Sequence, residues 1–595
     1  MSDYSAPLAD MRFVLENIVD LPALATLPGF EHADPETVYG VLEESGRFFA
    51  QEFAPLNRVG DVQHSRRNDD GSVTTPDGFA RAYGRYVQAG WAGVPFPAEY
   101  GGGGFPWLVA IAMQEMLTSA NMGFSLCPLL TQGAIDMLLH YGSEEQREVY
   151  LPKMVTGEWT GTMNLTEPQA GSDVGALTTR AVPADDGTWR ITGQKIFITY
   201  GEHDLAGNIV HLVLARVPDA PPGTKGISCF IVPKFLVDED GSPGERNAVE
   251  CVSIEHKMGI NASPTCVMAY DGAVGYLIGE ANEGMRYMFK MMNNARLSVG
   301  VSGLSVAERA YQQAVAYATE RRQGRAPGAP AGETSPIVDH PDVRRMLLTM
   351  RAHIEALRCL AYLNAESIDL AAHHPDADVR AARQELADLL TPITKGWGTD
   401  LGIELTSLAV QVHGGMGYIE ETGVAQHYRD VRIAAIYEGT NGIQAIDMVS
   451  RKLPMRGGAV MAGHLAGIEA TAAELVGSDA GDGALADIGK HLADAHAALK
   501  GTTDWLLANG ASDVTTSLAG ATPYLRMCGV VTGGWLLARA ALAAQRLLDA
   551  GEGDAEFLRQ KVVTARFYAA QVLPQAAGLA PAVTAGPADL LAAAF

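Results

Sequence analysis

The run TWRITGQKIFIT (residues 188–199) is rich in β-branched and aromatic residues with a period near two, and it decides the fold class. NIVHLVLARV (208–217) and GISCFIVPKF (226–235) repeat the signal, separated by Gly, Pro and Asp clusters. Together they predict a compact antiparallel β unit over 161–280. On the N-terminal side the period changes. ETVYGVLEESGRFFAQEF (36–53) spaces Val38, Val41, Leu42, Phe48 and Phe49 by three and four residues, so 36–160 reads as a helical domain. PAEYGGGGFPW (97–107) interrupts it, because four consecutive glycines, Gly101 to Gly104, do not persist inside a helix. Residues 1–35 carry Leu and Phe without sustained periodicity and read as an arm that packs on something else.

On the C-terminal side the helical period returns and gives a bundle over 281–455, split by the loop GRAPGAPAGETSP (324–336) at the surface. The Gly-rich RGGAVMAGHLAG, which starts at Arg456, marks a second boundary. Ala- and Leu-rich helices then form an additional helical domain over 466–595. The fold class is α+β, mainly α, with no repeat at solenoid periods.

Composition narrows the function. The 595 residues hold 44 basic and 69 acidic side chains, a net charge of −25. The pI is near 5.0 and the mean hydropathy +0.03. Such a chain folds, and its acid excess argues against nucleic acid or an anionic membrane as the main partner. Cys127, Cys229, Cys251, Cys266, Cys359 and Cys528 form no C-x-x-C pair and no cluster at metal-ligand spacing. We therefore expect no disulfide framework, no bound metal and a reducing cytoplasm. MSDYSAPLADMRF carries Asp3 and Asp10 where a secretory signal carries lysine and an apolar run. The longest uncharged stretch, Phe567 to Ala588, holds Pro574, Pro581 and Pro587, so no membrane segment is expected.

The usual nucleotide and hydrolase fingerprints are missing. GALADIGKH (483–491) has the wrong glycine spacing for a phosphate loop, and GGGGFP follows no strand of a βαβ unit. H-E-x-x-H and G-x-S-x-G do not occur. Three other segments stand out. TMNLTEPQAGSDVGAL (162–177) puts Thr166, Gly171, Ser172 and Asp173 in a turn-rich stretch whose N–H groups and hydroxyls suit an anion or a heteroaromatic ring; an ordinary loop reads the same way. ITGQKIFITYG (191–201) is a strand ending in Thr199, and a plain amphipathic strand is its other reading. In QVHGGMGYIEETGVAQHYRDVRIAAIYEGTNGIQAIDMVSRKL (411–453) an apolar approach delivers Glu438 into Gly439, Thr440, Asn441 and Gly442. Such a carboxylate is either a desolvated acid/base, suited to taking a proton from carbon, or a solvated acid near a helix start with Asn441 as the N-cap.

TEPQAGSD, GQKIFIT, TERRQGR, QVHGGMGY and IYEGTNGIQ in one chain resemble the acyl-CoA dehydrogenase family over about 36–455. The length and the C-terminal addition resemble its long subgroup with an extra helical domain, methylmercaptopropionyl-CoA dehydrogenases among them. The resemblance implies an N-terminal helical domain, a middle antiparallel β-barrel-like domain and a C-terminal bundle. It implies an FAD enzyme that oxidises a short or medium acyl-CoA to the trans-2-enoyl-CoA, with 3-(methylthio)propanoyl-CoA among the candidates. An electron-transfer flavoprotein is then the electron acceptor. Glu438 corresponds to the base that removes the α-proton while the β-hydrogen leaves as hydride to flavin N5. Its own N–H and a ribityl hydroxyl would bind the thioester oxygen.

The same resemblance places Thr166 and Thr199 beside flavin N5 and the ring edge, Met163 and Leu165 at flanking backbone contacts, and Phe197 where an aromatic ring covers the flavin. Ser172 falls near the FAD pyrophosphate and the CoA arm. Arg321, Gln323, Gln411, Gly414 and Gly415 match residues that hold adenine and pyrophosphate across a subunit interface, which implies at least a homodimer. Thr440 is grouped with the cofactor contacts. Arg296 lies near the base and Asn293 near the acyl or CoA pocket, where relatives often carry an acid. TERRQGR lacks the aromatic residue usual before its glycine, and Gly442 replaces a nucleotide-contacting side chain. Two rivals stand: a flavin oxidase or monooxygenase of the same fold, and a non-catalytic assembly scaffold.

Overall fold

The computed structural model describes residues 4–478, 483–510 and 513–595. In chain order its main helices are α1 (Leu8–Asn17), α2 (Pro35–Glu52), α3 (Ala54–Gln63), α4 (Phe79–Gln88), α5 (Trp107–Ala120), α6 (Met122–Tyr141), α7 (Glu144–Val155), α8 (Gly284–Glu320), α9 (Pro341–His373), α10 (Ala377–His413), α11 (Val424–Val431), α12 (Asn441–Asp447), α13 (Ala459–Val476), α14 (Ala484–Gly510), α15 (Ala521–Ala550), α16 (Ala555–Gln571) and α17 (Gln575–Thr584). Between α7 and α8 lie β1 (Trp159–Asn164), β2 (Arg180–Pro183), β3 (Trp189–Thr199), β4 (Asn208–Ala215), β5 (Ser228–Pro233), β6 (Val249–Ile254) and β7 (Thr265–Leu277). By packing, the chain divides into two units. One holds Glu44–Phe105 and Met116–Ser298; the other holds Ala6–Glu43, Pro106–Glu115 and Val299–Phe595.

In the first unit the seven strands form one sheet in the order β1-β4-β5-β7-β3-β2, with β6 also on β7. Pairing is antiparallel with one exception: β1 and β4 run parallel, from Trp159 opposite Asn208 to Asn164 opposite Val213. The expectation of an antiparallel unit holds for the other pairs and is corrected at this one. Periodicity reports which face a residue takes, not strand direction, and β2 and β3 intervene between the two strands, leaving room for a crossover. Ile191, Ile198, Val213, Phe230, Val232, Met268 and Tyr270 fill the sheet's core. The helices of this unit close on an aromatic cluster in which Phe53 stacks on Phe124 at 4.2 Å.

In the second unit α9 and α10 form a long antiparallel hairpin, and α15 lies close against α10 because glycines let it. A Cβ on Gly529 would stand 2.2 Å from Trp397 Cγ, and one on Gly533 2.6 Å from Trp397 Cη2. Trp397 is 2% exposed there. The N-terminal arm, read as a segment that packs on something else, contains α1, which buries Met11, Phe13, Val14 and Leu15. Its pattern was hidden because only one side of so short a helix is apolar. Lys561 of α16 ties it down, pairing with Asp10 and, at 3.1 Å, with Glu355 of α9. A second buried charge cluster joins Arg358 of α9 to Glu115 at 2.7 Å and Glu308 at 2.9 Å. Tyr362 donates to the other Glu115 oxygen. α6 and α15 are each long and apolar enough to span a bilayer, yet 89% and 78% of those windows are buried inside the protein. They are core helices. All six cysteines are buried free thiols.

Candidate active site

Each unit carries part of the predicted site. In the first, β1 runs out through Met163 and Asn164 into Leu165 and Thr166, and a buried lysine holds that exit. Lys195 of β3 donates from Nζ to the Leu165 carbonyl at 3.0 Å and to Glu167 Oε1 at 2.8 Å. The Ile196 N–H donates to the Thr166 carbonyl at 2.9 Å. Glu167 also accepts from the N–H groups of Thr178 and Thr179 and from both hydroxyls. The two side chains are 0% and 2% exposed. Burial raises the Glu167 pKa, but Lys195 and the threonine donors override it and hold the carboxyl at about 2. Burial lowers Lys195 to about 8 against the opposing pull of Glu167.

The stretch that follows Lys195 breaks the strand's alternation. Lys195 pairs with Met268 and Ile198 with Cys266, so Ile196 and Phe197 together face the single residue Val267. This is a β-bulge, and Phe197 sits in it at φ +59°. The bulge turns the Phe197 ring outward, where it is 58% exposed. Thr199, opposite Thr265, and Thr166 are half-buried, and neither hydroxyl bonds a described residue. Ser172 is exposed in the loop beyond. Arg296 is 8% exposed. It reaches exposed Asn293 from Nη1 at 3.4 Å and lies over the Phe289 ring at 5.9 Å.

In the second unit Glu438 is half-buried in a turn leading to α12. Its φ is +56° and that of Gly439 is +82°, so two consecutive residues are left-handed. For a glutamate that conformation costs of order 1 to 3 kcal/mol and persists only where its surroundings impose it. Lys395 of α10, fully buried, donates to the Gly439 carbonyl at 2.7 Å and to Asn441 Oδ1 at 2.8 Å. Asn441 Nδ2 donates to Asp400 Oδ1 at 2.6 Å, Thr399 Oγ1 at 2.9 Å and the Gly396 carbonyl at 3.0 Å. Asn441 is therefore not the N-cap. Thr440 takes that role, its hydroxyl accepting from the Ile443 N–H at 3.2 Å, because Asn441 is turned onto α10.

The remaining residues sit at two helix ends brought side by side. Tyr317 near the end of α8 stacks on His413 at the end of α10, with ring centroids 4.4 Å apart. Arg321 and Gln323 follow the first, bonded at 3.2 Å, and Gln411, Gly414 and Gly415 surround the second. All five are exposed. A Cβ on Gly414 or Gly415 would meet nothing within 4 Å, so packing inside this chain does not demand glycine at Gly415 and the backbone there is open to solvent. Within the first unit, two threonine hydroxyls and the exposed Phe197 ring suit a flat heteroaromatic ring; within the second, exposed guanidinium and amide groups beside open glycine backbone suit the phosphates and base of a dinucleotide. Glu167, Lys195, Lys395 and Asp400 were missed as supporting residues. Their one signal in sequence is a lysine set in an otherwise apolar run, as in LLTPITKGW (389–397).

Comparison with known proteins covers nearly the whole chain. Four family models match in order: the acyl-CoA dehydrogenase N-terminal domain at 42–158, the middle domain at 162–273, the C-terminal domain at 282–453, and the acetyl-CoA dehydrogenase C-terminal-like model at 464–594. The 3-methylmercaptopropionyl-CoA dehydrogenase of Ruegeria pomeroyi is 49% identical over 96% of each chain. A butyryl-CoA dehydrogenase of Syntrophomonas wolfei is 36% identical over 96% of this chain and 95% of its own. A solved acyl-CoA dehydrogenase complexed with FAD from Bacillus anthracis has a TM-score of 0.74 at 22% identity, covering 92% of this chain and 88% of its own, a likeness of fold. The chain belongs to the acyl-CoA dehydrogenase family, whose members are FAD-dependent oxidoreductases of acyl-CoA thioesters.

Proposed function

We propose that this protein dehydrogenates a short acyl-CoA across its α,β bond, with 3-(methylthio)propanoyl-CoA as the preferred substrate. The observation that carries the reaction is Glu438, a carboxylate fixed in a left-handed turn whose backbone is clamped from α10. The substrate preference is supported by the 49% identity to the Ruegeria pomeroyi enzyme over nearly the full length.

Glu438 takes the α-proton on a carboxylate oxygen. As it does, negative charge grows on the thioester oxygen, and the Glu438 N–H is the donor assigned to it; a donor set in place beforehand lowers the barrier most. Arg296 lies near the acyl-CoA and Asn293 lines the acyl or CoA pocket. Bound FAD supplies the two-electron oxidant that receives the β-hydride. Thr166 and Thr199 would offer hydroxyls to its ring, with the backbone at Met163 and Leu165 and the ring of Phe197 as its further holders. Ser172 serves its pyrophosphate and the CoA arm. Thr440, its hydroxyl engaged as the N-cap, contributes its backbone.

Arg321, Gln323, Gln411, Gly414 and Gly415 are all on the surface of one chain. They serve the dinucleotide of a second copy, so the working unit is a homodimer. Electrons leave to an electron-transfer flavoprotein, as the family likeness implies. Six unpaired buried thiols suit a reducing cytoplasm. The test is anaerobic mixing of the holoenzyme with a panel of acyl-CoAs. The 3-(methylthio)propanoyl thioester should bleach the flavin fastest. Bleaching by none contradicts the reading, and peroxide formed in step with turnover in air supports an oxidase instead.

A further inference from the structure

We infer that Lys395 is the positioning residue for Glu438, and that the appended C-terminal bundle keeps it dry. The inference rests on reading Glu438 as the base. Glu438 and Gly439 sit at φ +56° and +82°, an arrangement the chain does not adopt unaided. The restraint comes from α10, forty-odd residues away. Lys395 binds the carbonyl of Gly439, the residue directly after the base, and the side chain of Asn441, which in turn binds Asp400, Thr399 and Gly396. Gln444 adds a contact to the Glu438 carbonyl at 3.4 Å. The bonds from Lys395 to the Gly439 carbonyl and to Asn441 fix the peptide on the C-terminal side of Glu438, and so help to place its side chain.

Lys395 itself is 0% exposed. α15 packs against this turn of α10. A Cβ on Gly396 would stand 2.5 Å from Leu525 Cδ2, so Leu525 fills the space that a larger residue at 396, next to Lys395 in the chain, would need. Arg526, next along α15, pairs with Glu404 of α10 and fixes that contact. α15 packs on α12 as well as α10, and so holds both ends of the clamp. Away from water, each bond in the clamp is stronger and costlier to leave unmade. This gives the additional domain a part in the reaction without touching the substrate.

The experiment compares Lys395→Met, Lys395→Arg, Asn441→Ala and Leu525→Ala with the parent holoenzyme. Lys395→Met should reduce flavin roughly 10- to 100-fold more slowly, as expected when a catalytic group is displaced by about an ångström, while acyl-CoA binding to the oxidised enzyme stays within about threefold. Lys395→Arg, which keeps a donor for the Gly439 carbonyl, should recover most of the rate. Hydrogen exchange supplies a readout apart from activity. The amides of Gly439 to Ile443 should exchange at least about tenfold faster in Lys395→Met and Asn441→Ala, with the rest of α10 unchanged.

If Lys395→Met does not fold, Asn441→Ala carries the same test. Parent-like flavin reduction with parent-like exchange at Gly439 to Ile443 overturns the inference. Leu525→Ala should loosen the same amides; if it leaves them as in the parent, the bundle has no part in the clamp. Glu438→Gln in the same series separates the two readings. If it keeps the parent rate, the base assignment falls, and faster exchange in Lys395→Met then supports the clamp alone.

Discussion

Two buried lysines hold the two halves of the predicted site, and they do it differently. In the β-rich unit Lys195 supports the Leu165 carbonyl and pairs with the carboxylate of Glu167. In the helical unit Lys395 supports the Gly439 carbonyl and pairs with the neutral amide of Asn441. Both fix a peptide next to a residue assigned a role, so backbone placement is the shared device. The difference lies in the group each lysine bonds most closely: the Glu167 carboxylate in one unit, a carbonyl and an amide oxygen in the other, where burial raises the Asp400 pKa and the charge of Lys395 pulls it back. A buried ion that loses its partner is far costlier than an unmet carbonyl.

The sharpest way to break this comparison is Lys195→Met. It strands Glu167 and should cost about 3 to 5 kcal/mol of stability, with loss of bound FAD on purification. Thermal unfolding of the two proteins measures it. Next is Glu167→Gln. The Glu167 carboxyl lies at about 2 in the folded protein, below its ordinary 4.5, so its contribution is complete above pH 4.5 and disappears as pH falls toward 2. That shift corresponds to about 3 kcal/mol. The variant should be less stable at neutral pH by that order and should lose stability less steeply between those pH values, read by denaturant titration across the acid range.

Lys395→Met should cost less, about 1 to 3 kcal/mol, because the groups it bonds directly are a carbonyl and an amide oxygen. A loss as large as that of Lys195→Met would show that the two clamps are energetically alike. The smallest effect is expected from Thr440→Ala, which removes the cap of α12 and should cost about 1 kcal/mol, with Thr440→Ser close to the parent.

Much of the architecture was legible because burial imposes a period on sequence. The β runs at 188–199, 208–217 and 226–235 became β3, β4 and β5, and the four-glycine stretch fell between helices. Direction left no such trace, so the parallel β1–β4 pair was not foreseen. Nor was α1, whose buried side needs partners from α9, α15 and α16 hundreds of residues away. In the candidate site, hydroxyls, glycines and Glu438 announced themselves by residue type and spacing. The lysines that hold them did not, since Lys395 acts on a residue 44 positions later and only the folded chain joins the two. Asn441 shows the same limit: its type suits an N-cap, and tertiary hydrogen bonds claimed it first.

The account's central claim is that Glu438 removes the α-proton. Rapid mixing of the Glu438→Gln holoenzyme with the best acyl-CoA under anaerobic conditions tests it most directly. The account predicts a yellow protein with FAD retained and flavin reduction slowed more than about a hundredfold, the loss expected of a general base. Flavin reduction at the parent rate would contradict it.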